Sequence, residues 1–211
     1  MTMSANPNYS YDYIRWKIET DELSFREEWV RLEGIGELSM PTNFSRIFFL
    51  VGQACGVDHT RQRHRVSDYV VRNSVRDFLI ERLPMSLRRL EASGMPLRMI
   101  DMTQILSAFA MLSVKPDKKW QDYLLNGFSL EVSNLDSRAS NKFLRSLREF
   151  SIYPGDKWMS GWWQASSELL EGMGDAGINE LVYSLAVLDS LRELDGRESG
   201  PSARRRGRRP P

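Results

Sequence analysis

Sliding the chain along itself by 38 residues lays Pro116 on Pro154 and Trp120 on Trp158. These residues sit inside matching segments, Lys115-Pro116-Asp117-Lys118-Lys119-Trp120 and Tyr153-Pro154-Gly155-Asp156-Lys157-Trp158. The same shift aligns four apolar columns: Ile105, Phe143 and Leu181; Leu106, Leu144 and Val182; Phe109, Leu147 and Leu185; Leu112, Phe150 and Leu188. Ala108, Ser146 and Ser184 add a small residue between them. Within each copy the spacing is i, i+1, i+4, i+7, the apolar stripe of an amphipathic helix. One helical hairpin cannot bury such a stripe alone, so hairpins repeated at a fixed period must stack. The expected fold is all-α, a short α–α solenoid of helical hairpins.

Each unit reads as helix A, a proline-containing loop, helix B and a polar link. The pattern predicts helices near 103–113, 117–133, 141–151 and 157–173. Proline stops helix A and presets the entry to helix B. Asp117 and Asp156 lie at the electropositive start of helix B. Trp120 and Trp158 fall on its first turn and are read as packing against the end of helix A, with a surface binding role as the lesser alternative. A third copy keeps only helix A, Ala176 to Ser190, as a terminal capping repeat does.

Upstream, Thr20-Asp21-Glu22 reads as a helix start, followed by Phe25, Trp29 and Leu32 on one face. Gly34 and Gly36 close that helix. Met40 to Asn43 is a break in which Thr42 or Asn43 can cap the next helix. Phe44 to Ala54, stopped by Gly56, fits the helix A pattern as a degenerate first repeat, provided about 20 residues are inserted before the next unit. Val66 to Leu83 reads as a further helix that Pro84 ends or kinks, with Met85 to Ala92 as a short continuation. The chain divides into an N-terminal helical extension (1–40), a degenerate repeat with a basic insertion (41–100), the hairpin repeats (101–194) and an arginine-rich tail (195–211).

Composition narrows the function classes. Of 211 residues, 41% are hydrophobic, enough for a core. No apolar run approaches the roughly 18 residues of a membrane-spanning helix, so membrane insertion is not expected. Cys55 is the single cysteine, and with His59 it makes two potential ligands without a third, a poor metal site. No glycine-rich phosphate loop, nucleophile elbow or histidine-based metal motif is readable. Carboxylate pairs such as Glu27-Glu28 belong on helix surfaces. The expectation is a protein that is not an enzyme and needs no cofactor. Met1 to Ser10 is polar and acids follow early, so no transit peptide is readable; this fits a cytosolic chain, import without a readable presequence, or a sequence incomplete at its front.

The net charge of +1 is uneven. Arg204, Arg205, Arg206, Arg208 and Arg209 crowd the last residues; without those five, 24 bases face 28 acids. Such a tail is either a solvated end or an arm on phosphates. Arg61, Arg63, His64, Arg65, Arg72 and Arg76 form a second basic cluster, again either phosphate-binding or simply solvated.

A helical pair of this length with a Pro–x–x–x–Trp loop resembles the octotricopeptide repeat, and the FAST-kinase-like and RAP-domain proteins of organelles carry a similar unit. The resemblance covers about Asp101 to Ser190. It implies RNA binding in a mitochondrion, with the chloroplast as second choice. Polar columns flank the stripe of helix A: Thr103, Asn141 and Asn179; Ser107, Arg145 and Tyr183; Gln104, Lys142 and Glu180. Amides, hydroxyls and arginine are the groups that bond to or stack on single-stranded bases, one repeat meeting one base; ordinary solvated positions are the alternative. Lys115, Lys118, Lys119 and Lys157 at the loops can touch phosphates or merely face water. The resulting expectation is a non-catalytic, RNA-contacting structural component of a mitochondrial ribosome or other ribonucleoprotein, its partners rRNA and neighbouring proteins. The alternative is a scaffold subunit of a large organellar complex that makes no RNA contact.

Overall fold

The computed structural model of the protein describes residues 10–56, 66, 68–131, 137–170 and 173–198. Among them there is no strand. The helices are α1 (Tyr11–Thr20), α2 (Glu22–Gly34), α3 (Pro41–Cys55), α4 (Tyr69–Ser93), α5 (Met99–Met111), α6 (Lys118–Glu131), α7 (Ser137–Glu149), α8 (Asp156–Leu170) and α9 (Asp175–Glu198), with a 3-10 turn at Glu37–Ser39.

Local chemistry sets most of the helix ends. The Asp21 carboxylate accepts from the Ser24 N–H (2.9 Å) and starts α2. Gly36, at φ 82°, turns the chain after it. The start of α3 departs from expectation: Pro41 occupies its first turn and neither Thr42 nor Asn43 caps it. Asn43 instead donates to Glu37 Oε2 (2.7 Å) across the 3-10 turn. Pro84, expected to end or kink the helix, lies inside α4, which continues past it to Ser93. Pro84 and Ile80 both lie on the exposed side of α4, where water can take up the carbonyl that proline deprives of its donor.

The two full hairpins end helix A in the same way. Ser113 and Ser151, 38 residues apart, both take the left-handed conformation, at φ 54° and 51°. Val114 N–H donates to Phe109 O (3.0 Å) and Ile152 N–H to Leu147 O (2.9 Å); Ser113 N–H donates to Ala110 O and Ser151 N–H to Arg148 O, each at 3.0 Å. These paired bonds close the orphan carbonyls at a helix C-terminus. Asp117 then accepts from the Trp120 N–H (2.9 Å) at the start of α6.

The A-type helices stand in a row: α3 lies beside α5, α5 beside α7 and α7 beside α9, while α6 lies beside α8. This order is compatible with a solenoid. The α3–α5 seam is the tightest. A Cβ on Gly52 would lie 3.1 Å from Ala108 Cα and 3.3 Å from Ala108 Cβ, and one on Gly56 would fall 2.4 Å from Gly52 O and 2.8 Å from Met111 O. Only glycine allows that approach. The small column is buried throughout, at Ala108, Ser146 and Ser184, with Ala108 against Gly52 and Ser184 against Arg148 of the preceding A-type helix.

Both loop tryptophans are core residues. Trp120 is 1% exposed, stacked on Phe44 (5.7 Å between centroids) and edge-on to Phe109 (5.5 Å). Trp158 is 7% exposed and stacked on Phe143 (5.8 Å). The surface role considered for them is excluded by that burial. At the other end, α1 and α2 cover α3. There the buried Glu33 carboxylate accepts from Trp29 Nε1 (3.1 Å) and Ser86 Oγ (3.3 Å) and pairs with Arg82, so the charge is fully engaged.

Candidate nucleic-acid interface

The column Thr103, Asn141, Asn179 does not form a continuous base-reading face. Thr103 is 3% exposed and its hydroxyl donates back to Met99 O (2.9 Å). This corrects the expectation for that residue, which has no polar atom to offer a base. Asn141 is half-buried, and its amide donates to Gly177 O (3.0 Å) on α9. In α3, Ser45 holds the equivalent place and donates to Asp101 Oδ1 on α5 (2.9 Å). Asp101 and Gly177 are two repeats apart, so the same position ties one A-type helix to the next at both ends of the row. The column runs along the seam between helices.

The remaining helix A candidates vary in access. Ser107 is half-buried. Lys142 and Arg145 are exposed on α7, with Arg145 Nε donating to Glu149 Oε1 (2.8 Å). Asn179 and Tyr183 are exposed on α9, Tyr183 at 59%. Arg148 of α7 lies 4.5 Å from the centre of the Tyr183 ring, donates to Ser184 Oγ (3.1 Å) and pairs with Glu180 (3.0 Å). Of these α7 and α9 residues, Lys142, Arg145, Asn179 and Tyr183 are each exposed, and Asn141 is not. Lys115, Lys118, Lys119 and Lys157 are all exposed at the loops.

The basic cluster before α4 has a more definite setting. Val66 N–H donates to Ala54 O (3.1 Å), so the basic connector leaves from and returns to the C-terminal end of α3. Arg61, Arg63 and Arg65 of that connector lie outside the described residues, and so do His59 and, at the far end of the chain, Arg204, Arg205, Arg206, Arg208 and Arg209. Arg72 and Arg76 stand one turn apart on α4, both half-buried, and the buried Nε of each has no hydrogen-bond partner among the described residues. The Arg72 guanidinium lies 5.6 Å from the ring centre of Tyr69, which is 66% exposed. Arg26 is close by, paired with Glu22 (2.5 Å) and bonded to Ser74 O (3.1 Å). Tyr69 was the residue missed by sequence reasoning. Its signal was an aromatic three residues before an arginine at the start of a helix, a spacing that places the two together.

Beside this cluster, Cys55 is buried, and burial pushes its thiol up to about 12. It stays neutral and serves as a small apolar side chain. No group of three His, Cys, Asp or Glu side chains among the described residues is placed to hold a metal ion. No protein-family model, curated protein or solved structure matches the chain.

Proposed function

We propose that this chain is a non-catalytic, RNA-contacting helical-repeat protein, working as a structural part of a ribonucleoprotein, with the mitochondrial ribosome as the first candidate. The observation that carries the reading is the group Tyr69, Arg72 and Arg76 beside the two ends of the basic connector. An exposed ring backed by a guanidinium is a stacking platform for an unpaired base. Arg72 and Arg76, half-buried and one turn apart, bring two guanidinium charges to one place, and such groups suit phosphate oxygens. Residues 61–65 and 204–209 add eight more arginines to the same chain. The octotricopeptide resemblance supports an organellar setting.

The reading is tested with a fluorescent single-stranded RNA of mixed sequence and the full-length protein. About five phosphate contacts predict a roughly hundredfold fall in affinity between about 50 and 200 mM salt. Arg72→Ala with Arg76→Ala is expected to flatten that salt slope by about one to two, and deleting residues 204–211 to weaken binding uniformly across sequences. RNA affinity that is flat with salt, or unchanged in both variants, overturns the proposal and leaves a protein scaffold.

A further inference from the structure

Among the described residues α9 is the last A-type helix, and its outer face repeats the features that its predecessors use to hold the next helix. Leu106 and Leu144 are 1% and 0% exposed, whereas Val182, in the same column, is 58% exposed. Asn179 stands where Asn141 bonds to the next backbone, and it is exposed. Ala186 stands where Gly52 lets the next helix come within contact, and it too is exposed. With Asp175, Asp189 and Glu193, these residues fall on one face of α9 by helical spacing, a small apolar centre with acids at both ends, of which Asp189 also lies 3.9 Å from Arg192. Trp163, 51% exposed, flanks this face across the groove between α8 and α9, where Arg192 reaches over to Asp156 (2.9 Å).

We infer that the outer face of α9 is an unfilled helix-to-helix seam that takes a basic amphipathic helix of a partner protein. The inference rests on the stack geometry and not on the RNA reading. Its occupant must bring an apolar stripe for Val182, a small residue for Ala186, a backbone carbonyl for the Asn179 amide, and cations for the acidic ends. A second copy of α9 laid antiparallel would set Asp175 against Glu193, like charge against like. The chain's own last residues, 199–211, carry arginines but no large apolar side chain to cover Val182. Phosphates are repelled by the same acids that attract a basic helix.

A peptide copying residues 175–193, with Asp175, Glu180, Asp189 and Glu193 all replaced by lysine, is a suitable probe. It keeps the Leu181, Ser184 and Leu188 face that already fits against α7. Labelled with fluorescein and titrated with the full-length protein, it is expected to bind about tenfold more tightly than the unmodified acidic peptide. Val182→Lys is expected to weaken it by at least about tenfold, and so is Ala186→Leu, which fills the small position from a surface site. Equal binding of the two peptides, or binding unaffected by either substitution, overturns the proposal. Three other results also overturn it by naming a different occupant: self-association that Val182→Lys abolishes, a roughly tenfold gain in peptide affinity on deleting 199–211, and displacement of the peptide by single-stranded RNA.

Discussion

The seam between α3 and α5 and the seam between α7 and α9 join corresponding faces that differ at one position. At the first, Gly52 brings the backbones together, and Phe48 meets Phe109 edge-on at 5.3 Å between ring centres. At the second, the corresponding place holds Arg148, which reaches across to Glu180, Ser184 and Tyr183; the polar tie one face over is common to both seams, Ser45 to Asp101 at the first and Asn141 to Gly177 O at the second. Close apolar packing tolerates little change in volume, whereas a seam bridged by long polar side chains can be remodelled. One end of the row is thus built as a fixed core under α1 and α2.

The sharpest way to break this comparison is Gly52→Val. Its Cβ would already meet Ala108 Cα at 3.1 Å and Met111 Cε at 3.2 Å before the two added methyl groups are placed. Overpacking is expected to cost about 3 kcal/mol, well beyond the roughly 1 kcal/mol that leaving glycine gains in a helix. Thermal unfolding should shift down by roughly 6 to 12 °C. A shift of a degree or less would mean that the α3–α5 contact yields as readily as the other seam.

Arg148→Ala is the matching test at the polar seam. It removes the ion pair to Glu180, the bond to Ser184 and the contact with the Tyr183 ring, and it leaves no backbone clash. Tyr183 and the rest of Glu180 reach water, but Arg148 is 14% exposed and Glu180 Oε1 is buried, so solvent screens only part of the loss. The expected cost is about 1 kcal/mol, some 2 to 4 °C in the midpoint. Hydrogen exchange is expected to rise in α9 and to stay unchanged in α3. A loss spread evenly over the chain would remove the distinction between the two ends.

The period, the helix A stripe and the loop chemistry were legible because each is local. Proline and tryptophan recur at positions where a chain leaving one helix and entering another needs them. The direction of the seam was not legible. Thr103 and Asn141 are polar residues beside an apolar stripe, and a single helix looks the same in sequence whether that flank meets water or the next helix. Placement of the neighbour decides it, and Gly52 was the one residue that marked the approach. The uninterrupted α4 has a similar cause: local preference ends a helix at Pro84, yet Leu83 before it and Ser86, Leu87 and Leu90 after it are buried, and that burial carries the helix through. Of the candidate interface, the arginines were visible as charge, and the role of Tyr69 became visible only once α4 had a defined start.

The smallest effect tests the repeat itself. Ser113 and Ser151 hold the left-handed conformation at the end of α5 and α7, at φ 54° and 51°, where a Cβ is disfavoured by roughly 1 kcal/mol. Glycine removes that strain and costs part of it back through the greater freedom of the unfolded chain. Each of Ser113→Gly and Ser151→Gly is therefore expected to stabilise by about 0.5 kcal/mol, and the double variant by about twice that, since distant sites add. Denaturant midpoints measured on the four proteins of this cycle check the additivity. Equal gains at both sites mean that the two hairpins close by one device. A gain at Ser113 with a loss at Ser151 would mean that the second turn is held by contacts that the first lacks, and the 38-residue step would then describe the helices but not the joints between them.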